Sequence, residues 1–300
     1  MASTHQFDIS KLFGVKGKVA VVTGGTGIGL MATQALSANG ARVYITGRRM
    51  DAVENAAKSH QPTSGGGEII PIGPCDVTKK EDLDRLVSDL GSKEKYIDLL
   101  ICNAGVAGPK AEPDVEDAAE LKEKLWANES FESWRDTFDT DVTSVYFTTV
   151  AFLPLLQAGI RGKGKGEGGP LEPFAPSVIT ISSMSGLMRH AQGHFSYNAA
   201  KGATVHLSKL MSAEFQKTGV RVNSIAPGYF PSEMTAKESD DRQKSYVPPE
   251  KIQEKNHVPL ERPGREEEMG MTVLYLANNQ YVNGEIIAVD GGVLNVLAGR

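Results

Sequence analysis

The chain has 300 residues, 40% hydrophobic and 23% charged, with a formal net charge of −5. That is the make-up of an ordinary globular protein with room for one large α/β domain or two small ones, and the acidic balance without a clustered basic face argues against a nucleic-acid partner. No stretch reaches the roughly 18 apolar residues of a membrane span, Met1 to Leu12 carries no apolar run of signal-peptide length, and Cys75 and Cys102 make neither a CxxC pair nor a disulfide framework, so a cytoplasmic, reducing location without membrane contact is expected.

Along the chain, Lys18 to Thr23 (KVAVVT) is a β-branched apolar run between Gly17 and Gly24 and reads as a strand buried on both faces. Ile28, Met31, Ala32, Ala35 and Leu36 then recur at helical spacing, and Gly40 follows as a stop. Arg42 to Thr46, Ile69 to Ile72 and Ile97 to Cys102 make the second, third and fourth strands, with helical stretches between them. A helix over Thr137 to Leu156, a strand at Val178 to Ile181, a helix from Tyr197 to Phe215, and strands at Val220 to Ile225 and Glu285 to Val289 complete the pattern. Strands alternating with helices predict a single-domain, doubly wound parallel α/β sheet of the Rossmann type over residues 1–300. Two segments exceed that minimal unit. Val106 to Trp134 is charged and helix-prone, and Ala158 to Pro176 is rich in Gly, Lys and Pro, so both read as insertions. The Lys163–Lys165 patch inside the second reads as a solvated loop without a partner.

Candidate chemistry begins in the turn Thr23-Gly24-Gly25-Thr26-Gly27-Ile28-Gly29, between the first strand and its helix. Glycines there permit a tight turn and let backbone N–H groups approach a pyrophosphate at the helix N-terminus. Further on, Tyr197 and Lys201 are four residues apart, which places ammonium and phenol on one helix face. A free tyrosine ionises near pH 10, and a neighbouring lysine cation is expected to lower that value into an acid/base range.

Together these motifs resemble the short-chain dehydrogenase/reductase family over nearly the whole chain. The glycine turn is similar to the family's TGxxxGxG but one residue shorter, so the cradle formed by Gly24, Gly27, Ile28 and Gly29 is expected to be tighter. The resemblance implies that Asp76-Val77 meets adenine, that Asn103-Ala104-Gly105 lies beside the adenine ribose, and that Tyr197 and Lys201 belong to the catalytic YxxxK. It also selects Ser183, 14 residues before Tyr197 (197 − 183), as the serine that holds the substrate oxygen. The segment RVNSIAPG at Arg221 to Gly228 resembles the family's RVNxIxPG, after which backbone at Phe230 and the hydroxyl of Ser232 are expected at the nicotinamide carboxamide. Where the family carries Asn in its proton relay, this chain has Asp141, an acceptor that favours a charged Lys201. The terminal VDGG at Val289 to Gly292 is similar to a family element that shapes subunit contacts and the rim of the site.

The second strand ends in Thr46-Gly47-Arg48-Arg49, with no acidic residue to bind both ribose hydroxyls of NAD. Glycine leaves room for a 2′-phosphate and Arg48 can bind it, so the cofactor expected is NADP (NADPH). The resemblance implies hydride transfer between the nicotinamide and a small-molecule ketone or secondary alcohol. Reduction of an imine or activated alkene, and a non-catalytic cofactor-binding scaffold or redox sensor, stand as alternatives. GRR, SSMSG and the serine-to-tyrosine gap resemble 3-oxoacyl-type reductases of the rhamnolipid-pathway kind and fungal secondary-metabolite reductases. Tyr229 to Val258, Pro-, Lys- and Ser-containing without strong periodicity, is expected to be a mobile substrate lid. Family habit implies a homodimer or homotetramer built on the Thr137–Leu156 and Tyr197–Phe215 helices.

Overall fold

The computed structural model describes residues 4–160 and 174–297. After the short helix α1 (Ile9–Leu12), strands and helices alternate: β1 (Val19–Thr23), α2 (Gly27–Ala38), β2 (Arg42–Thr46), α3 (Met50–Ser59), β3 (Glu68–Pro71), α4 (Lys80–Gly91) and β4 (Leu99–Cys102). The second half carries α5 (Ala118–Asn128), α6 (Phe131–Phe138), α7 (Ser144–Ala158), β5 (Ser177–Ile181), α8 (Phe195–Phe215) and β6 (Arg221–Pro227). It closes with α9 (Glu233–Ala236), α10 (Pro249–Gln253), α11 (Glu266–Asn278), β7 (Ile286–Val289) and α12 (Val293–Val296). All seven strands run parallel in the order β3-β2-β1-β4-β5-β6-β7.

The apolar strand runs are explained by burial on both faces, because side chains alternate across each strand. Ala20 and Val22 face the layer built on α2 and α11, whereas Val19 and Val21 face the layer built on α4, α7 and α8. The order reverses between β1 and β4, which opens a crevice at the carboxyl ends of the strands, where open α/β sheets bind ligands. The strand and helix boundaries expected from periodicity hold to within about two residues.

Two expectations change. The helix over Thr137 to Leu156 is present and continuous but not regular: α6 runs to Phe138, a single π-helical turn spans Asp139–Thr143, and α7 continues from Ser144. An extra residue per turn shifts the helix register and carries Asp141 into the buried interior. The expected lid is not all loop, since it contains α9 and α10 and packs Val247, Ile252 and Val258 onto Met184 and Met188. The first expected insertion contains α5 and the first half of α6. Of the second, 161–173, including the Lys163–Lys165 patch, lie outside the described residues.

The RVN motif is a structural tie. Burial pulls the Arg221 guanidinium down to about 10, and its N–H groups donate to the carbonyls of Leu276, Ala277, Asn279 and Val282. These include carbonyls at the end of α11, which lack partners within the helix. Asn223 donates to Val282 O and accepts from Glu285 N, fixing the approach of β7.

Candidate active site

The glycine turn is shaped by contacts that exclude side chains. Gly24 and Gly27 adopt left-handed backbone, with φ of 71° and 54°. A Cβ on Gly29 would lie 2.0 Å from the Gly24 carbonyl oxygen and 2.6 Å from Asn103 Nδ2. Asn103 Nδ2 donates to that same carbonyl at 2.7 Å, and its backbone N–H donates to Thr23 Oγ1 at 3.1 Å. Asn103 therefore locks the turn from β4, and Ile28 packs on the core behind it. Thr26, the residue before α2, gives no side-chain cap, so the first amides of a 12-residue helix are left to an anion. The shorter turn keeps the open, glycine-lined concavity that a pyrophosphate needs, and these residues fit a dinucleotide.

Across the cleft, a Cβ on Gly27 would touch Ser232 Cβ at 3.0 Å. Ser232 begins α9 in a capping box with Thr235, which also donates to the Phe230 carbonyl at 2.7 Å. The Phe230 ring is buried, closing against Gly264. The Phe230 carbonyl and Ser232 hydroxyl expected at the carboxamide are thus engaged locally, although the segment itself lines the cleft. Asp76 Oδ1 likewise accepts from the backbone and hydroxyl of Thr78, which makes it a turn former in this structure, and the Val77 side chain faces the core. Arg48 is exposed at the end of β2. Its neighbour Arg49 pairs with Glu233 of α9 at 2.7 Å, so the arginine that bridges to the lid is the second one.

The reacting groups converge at the ends of β4 and β5. Ser183, just after β5, accepts from Ser185 N at 3.1 Å and lies within hydrogen-bonding reach of the Tyr197 phenol. Lys201, one turn along α8, places Nζ 5.6 Å from the Tyr197 ring centroid and donates to the Ile181 carbonyl at 3.1 Å. It is only 4% exposed. Asp141, fully buried, directs Oδ2 at Lys201 Nζ at 3.5 Å, longer than a normal hydrogen bond, while Oδ1 accepts from Val106 N at 2.8 Å. Thr204 Oγ1 donates to the Asp141 carbonyl at 2.6 Å, pinning the π turn to α8. Gly105 leaves the space over this pair open, because a Cβ there would sit 3.1 Å from Asp141 Oδ1 and 3.3 Å from Lys201 Nζ.

Burial sets the electrostatics. It raises the Asp141 carboxyl above its ordinary value, against the pull of Lys201 and the Val106 amide. It pulls the Lys201 ammonium down, but Asp141 and Tyr197 outweigh it and hold Lys201 above its ordinary range. For Tyr197 the Lys201 cation pulls the phenol down as expected, in the direction in which an oxidised nicotinamide would add, but it is not the largest influence. Burial raises the phenol, Asp141 adds to the rise, and Lys201 and Ser183 offset only part of it. In this state the phenol is neutral and can donate a proton.

With Ser183, Tyr197, Lys201 and a glycine cradle on one crevice, the chain can be set beside known proteins. Residues 22–294 match a family model described as enoyl-(acyl carrier protein) reductase. The chain is 38% identical to the short-chain dehydrogenase/reductase PhomF of Diaporthe leptostromiformis, over 95% of this chain and 94% of that one. The chain belongs to the short-chain dehydrogenase/reductase family. It is also 40% identical to the short-chain dehydrogenase/reductase SAT3 of Stachybotrys chartarum, over 88% of this chain and 98% of its relative. The solved Pseudomonas aeruginosa RhlG/NADP active-site complex superposes with a TM-score of 0.74 at 29% identity, covering 94% of this chain and 98% of that one. The family assignment makes the chain an oxidoreductase with a nicotinamide cofactor.

Residues around this dehydrogenase/reductase centre that the sequence did not single out are Gln192, Tyr229 and His257. Gln192 Nε2 donates to Tyr229 Oη at 2.9 Å, and Tyr229 Oη lies 2.9 Å from His257 Nε2. The one available signal was Tyr229 itself, directly after the Pro227-Gly228 that ends β6.

Proposed function

We propose that the protein is an NADPH-dependent reductase that delivers a hydride to a ketone, or runs the reverse alcohol oxidation, with Tyr197 as acid/base. The observation that carries this reading is the array in which the half-buried Tyr197 phenol lies with Ser183 beside the buried Lys201. A bound nicotinamide supplies the hydride. Ser183 and Tyr197 then hydrogen-bond the carbonyl oxygen, and Tyr197 gives its proton to the alkoxide that forms. Lys201, held charged beside Asp141, stabilises the tyrosinate left behind. A hydroxyl pair aimed at one oxygen favours a carbonyl over an imine or alkene acceptor, and the complete triad speaks against a non-catalytic scaffold.

NADP over NAD is supported by Gly47, Arg48 and Arg49 at the end of β2, which carries no acidic residue of its own to bind both ribose hydroxyls, while the nearby Glu233 of α9 is paired with Arg49. The relatives add support, among them the NADP-bound Pseudomonas aeruginosa structure and a rhamnolipids biosynthesis 3-oxoacyl-[acyl-carrier-protein] reductase of that organism, 30% identical over 93% of this chain and 97% of that one. Exposed Tyr146 and Val150 of α7 and Leu210 of α8 support pairing of these helices in a homo-oligomer. The test is NADPH and NADH oxidation with panels of ketones, imines and activated alkenes. Ketone-dependent NADPH oxidation is expected, and turnover confined to alkenes or imines would overturn the substrate class.

A further inference from the structure

Ser183 follows β5 and Tyr197 lies in the first turn of α8, so one loop joins the two reacting hydroxyls and whatever holds it positions both. Asn198 Nδ2 ties the loop to α8 by donating to the His190 carbonyl at 2.9 Å. The start of the loop packs through Met184 and Met188 on Val247, Ile252 and Val258 of the segment after β6, with half-buried Tyr229 against the same cluster. That apolar packing is non-directional. A polar contact closes the same seam from the loop's other half. There Gln192 adopts left-handed backbone, with φ of 51°, and its N–H donates to His190 Nδ1 at 3.2 Å. A residue other than glycine stays in that region only where its surroundings fix it.

The hydrogen bonds of the seam run in one direction. Gln192 Nε2 donates to Tyr229 Oη at 2.9 Å, Tyr229 Oη lies 2.9 Å from His257 Nε2, and the His257 ring donates in turn to the Lys255 carbonyl. Burial raises the Tyr229 phenol, which therefore keeps its proton and donates it. An imidazole that gives one N–H to a carbonyl has a lone pair on its other nitrogen only while it is neutral. Protonation puts a hydrogen on Nε2. The Tyr229 hydroxyl then loses its acceptor, and Gln192 Nε2, a second N–H donor, stands 3.3 Å from the new one. The surroundings resist the charge as well. Burial first, then Lys255 and His190, hold the His257 imidazole below its ordinary value, and Lys110 and Lys251 stand behind Lys255. Among the described residues no carboxylate forms an ion pair with His257 or His190.

We propose that Gln192, Tyr229 and His257 form an acid-sensitive clasp, which holds the segment after β6 on the loop between Ser183 and Tyr197 while the imidazole is neutral and releases it on protonation. The closed form binds a proton less readily than the open one. Closure is therefore favoured above the ordinary histidine value of 6.5 and weakens by up to about ten-fold per pH unit below it. The effect on turnover rests on the carbonyl-reduction reading, whereas the clasp itself does not.

The experiment compares wild type with His257→Gln and His257→Phe between about pH 5.5 and 8. Glutamine offers a carbonyl oxygen that accepts without titrating, and phenylalanine offers no acceptor. Hydrogen exchange of residues 187–194 and 247–258, corrected for the intrinsic pH dependence of amide exchange, reads the clasp without any substrate. On acidification both stretches should lose protection by about five-fold in wild type, the factor for one lost hydrogen bond. His257→Gln should stay protected throughout, and His257→Phe should exchange fast at every pH. With saturating NADPH, KM for a ketone that is reduced should rise on acidification in wild type and stay level in His257→Gln. Protection that does not change with pH in wild type, or an acid-induced loss that persists in His257→Gln, overturns the clasp. If exchange follows the expected pattern and no ketone is reduced, the clasp stands and the function reading fails.

Discussion

Replacing Asp141 by asparagine isolates the charge that this chain adds to the catalytic relay. The side-chain amide oxygen can still accept from Val106 N, so Asp141→Asn removes a charge at nearly constant shape. At the 3.5 Å that separates Oδ2 from Lys201 Nζ, a unit pair is worth about 1 kcal/mol in water-like surroundings and about 5 kcal/mol at an effective dielectric near 20. The lower figure alone corresponds to roughly one pH unit. Asp141 holds both Lys201 and Tyr197 up, so its loss lets both release protons at lower pH. Reduction needs the protonated phenol and oxidation the tyrosinate. The alkaline limb of kcat for reduction and the acid limb for oxidation should therefore both move to lower pH, by up to about one unit, since the roughly one-unit coupling is that of Lys201 and Tyr197 feels Asp141 less directly. Stopped-flow and steady-state pH–rate profiles of wild type and Asp141→Asn, in both directions, measure this. Superimposable profiles, or limbs that move upward, would refute the coupling.

Other outcomes follow from the same geometry. Gly29→Ala should abolish NADPH binding by fluorescence titration, because the added methyl has no space against the Gly24 carbonyl and Asn103, while the fold is retained by circular dichroism. Arg48→Ala should cut the preference for NADPH over NADH by about ten-fold or more, and Arg49→Ala by less, since Arg49 is engaged with Glu233; equal affinities in the wild type would show that β2 was misread. Glu268, held down to about 2 first by Arg262 and then by the Arg265 amide, should stabilise the fold by at most about 1 kcal/mol, as a largely solvated pair does. Its folded value lies below the unfolded one, so the contribution is complete above about pH 4.5 and lost as pH falls toward about 2; denaturation of Glu268→Gln and wild type should converge over that window.

Much of the fold was legible because buried parallel strands leave an unmistakable mark. KVAVVT and LLIC are apolar on both faces, and helical periods separate them, so sheet type and reading order followed from pattern alone. Tyr197, Lys201 and the glycine turn were legible because their chemistry sits on local spacing. The π turn was not, since it shifts the side-chain period by a single position over one turn, too short a change to read from the pattern of α6 and α7. The burial that raises the Tyr197 phenol was not legible either: its neighbour Lys201 is visible in sequence, but desolvation comes from the surrounding fold. Gln192, Tyr229 and His257 come from separate segments and meet only in three dimensions. The engagement of Ser232 and Asp76 in local caps and turns was likewise hidden, because capping residues and ligand contacts share one chemistry.

The central claim is that Tyr197 supplies the proton that accompanies hydride transfer, and Tyr197→Phe tests it most directly. The substitution removes one hydroxyl from the site, so NADPH affinity by fluorescence titration should stay within a few-fold of wild type. Single-turnover reduction of a ketone substrate should slow by about a hundred- to ten-thousand-fold. A variant that binds NADPH normally and reduces the ketone within a few-fold of the wild-type rate would contradict the account.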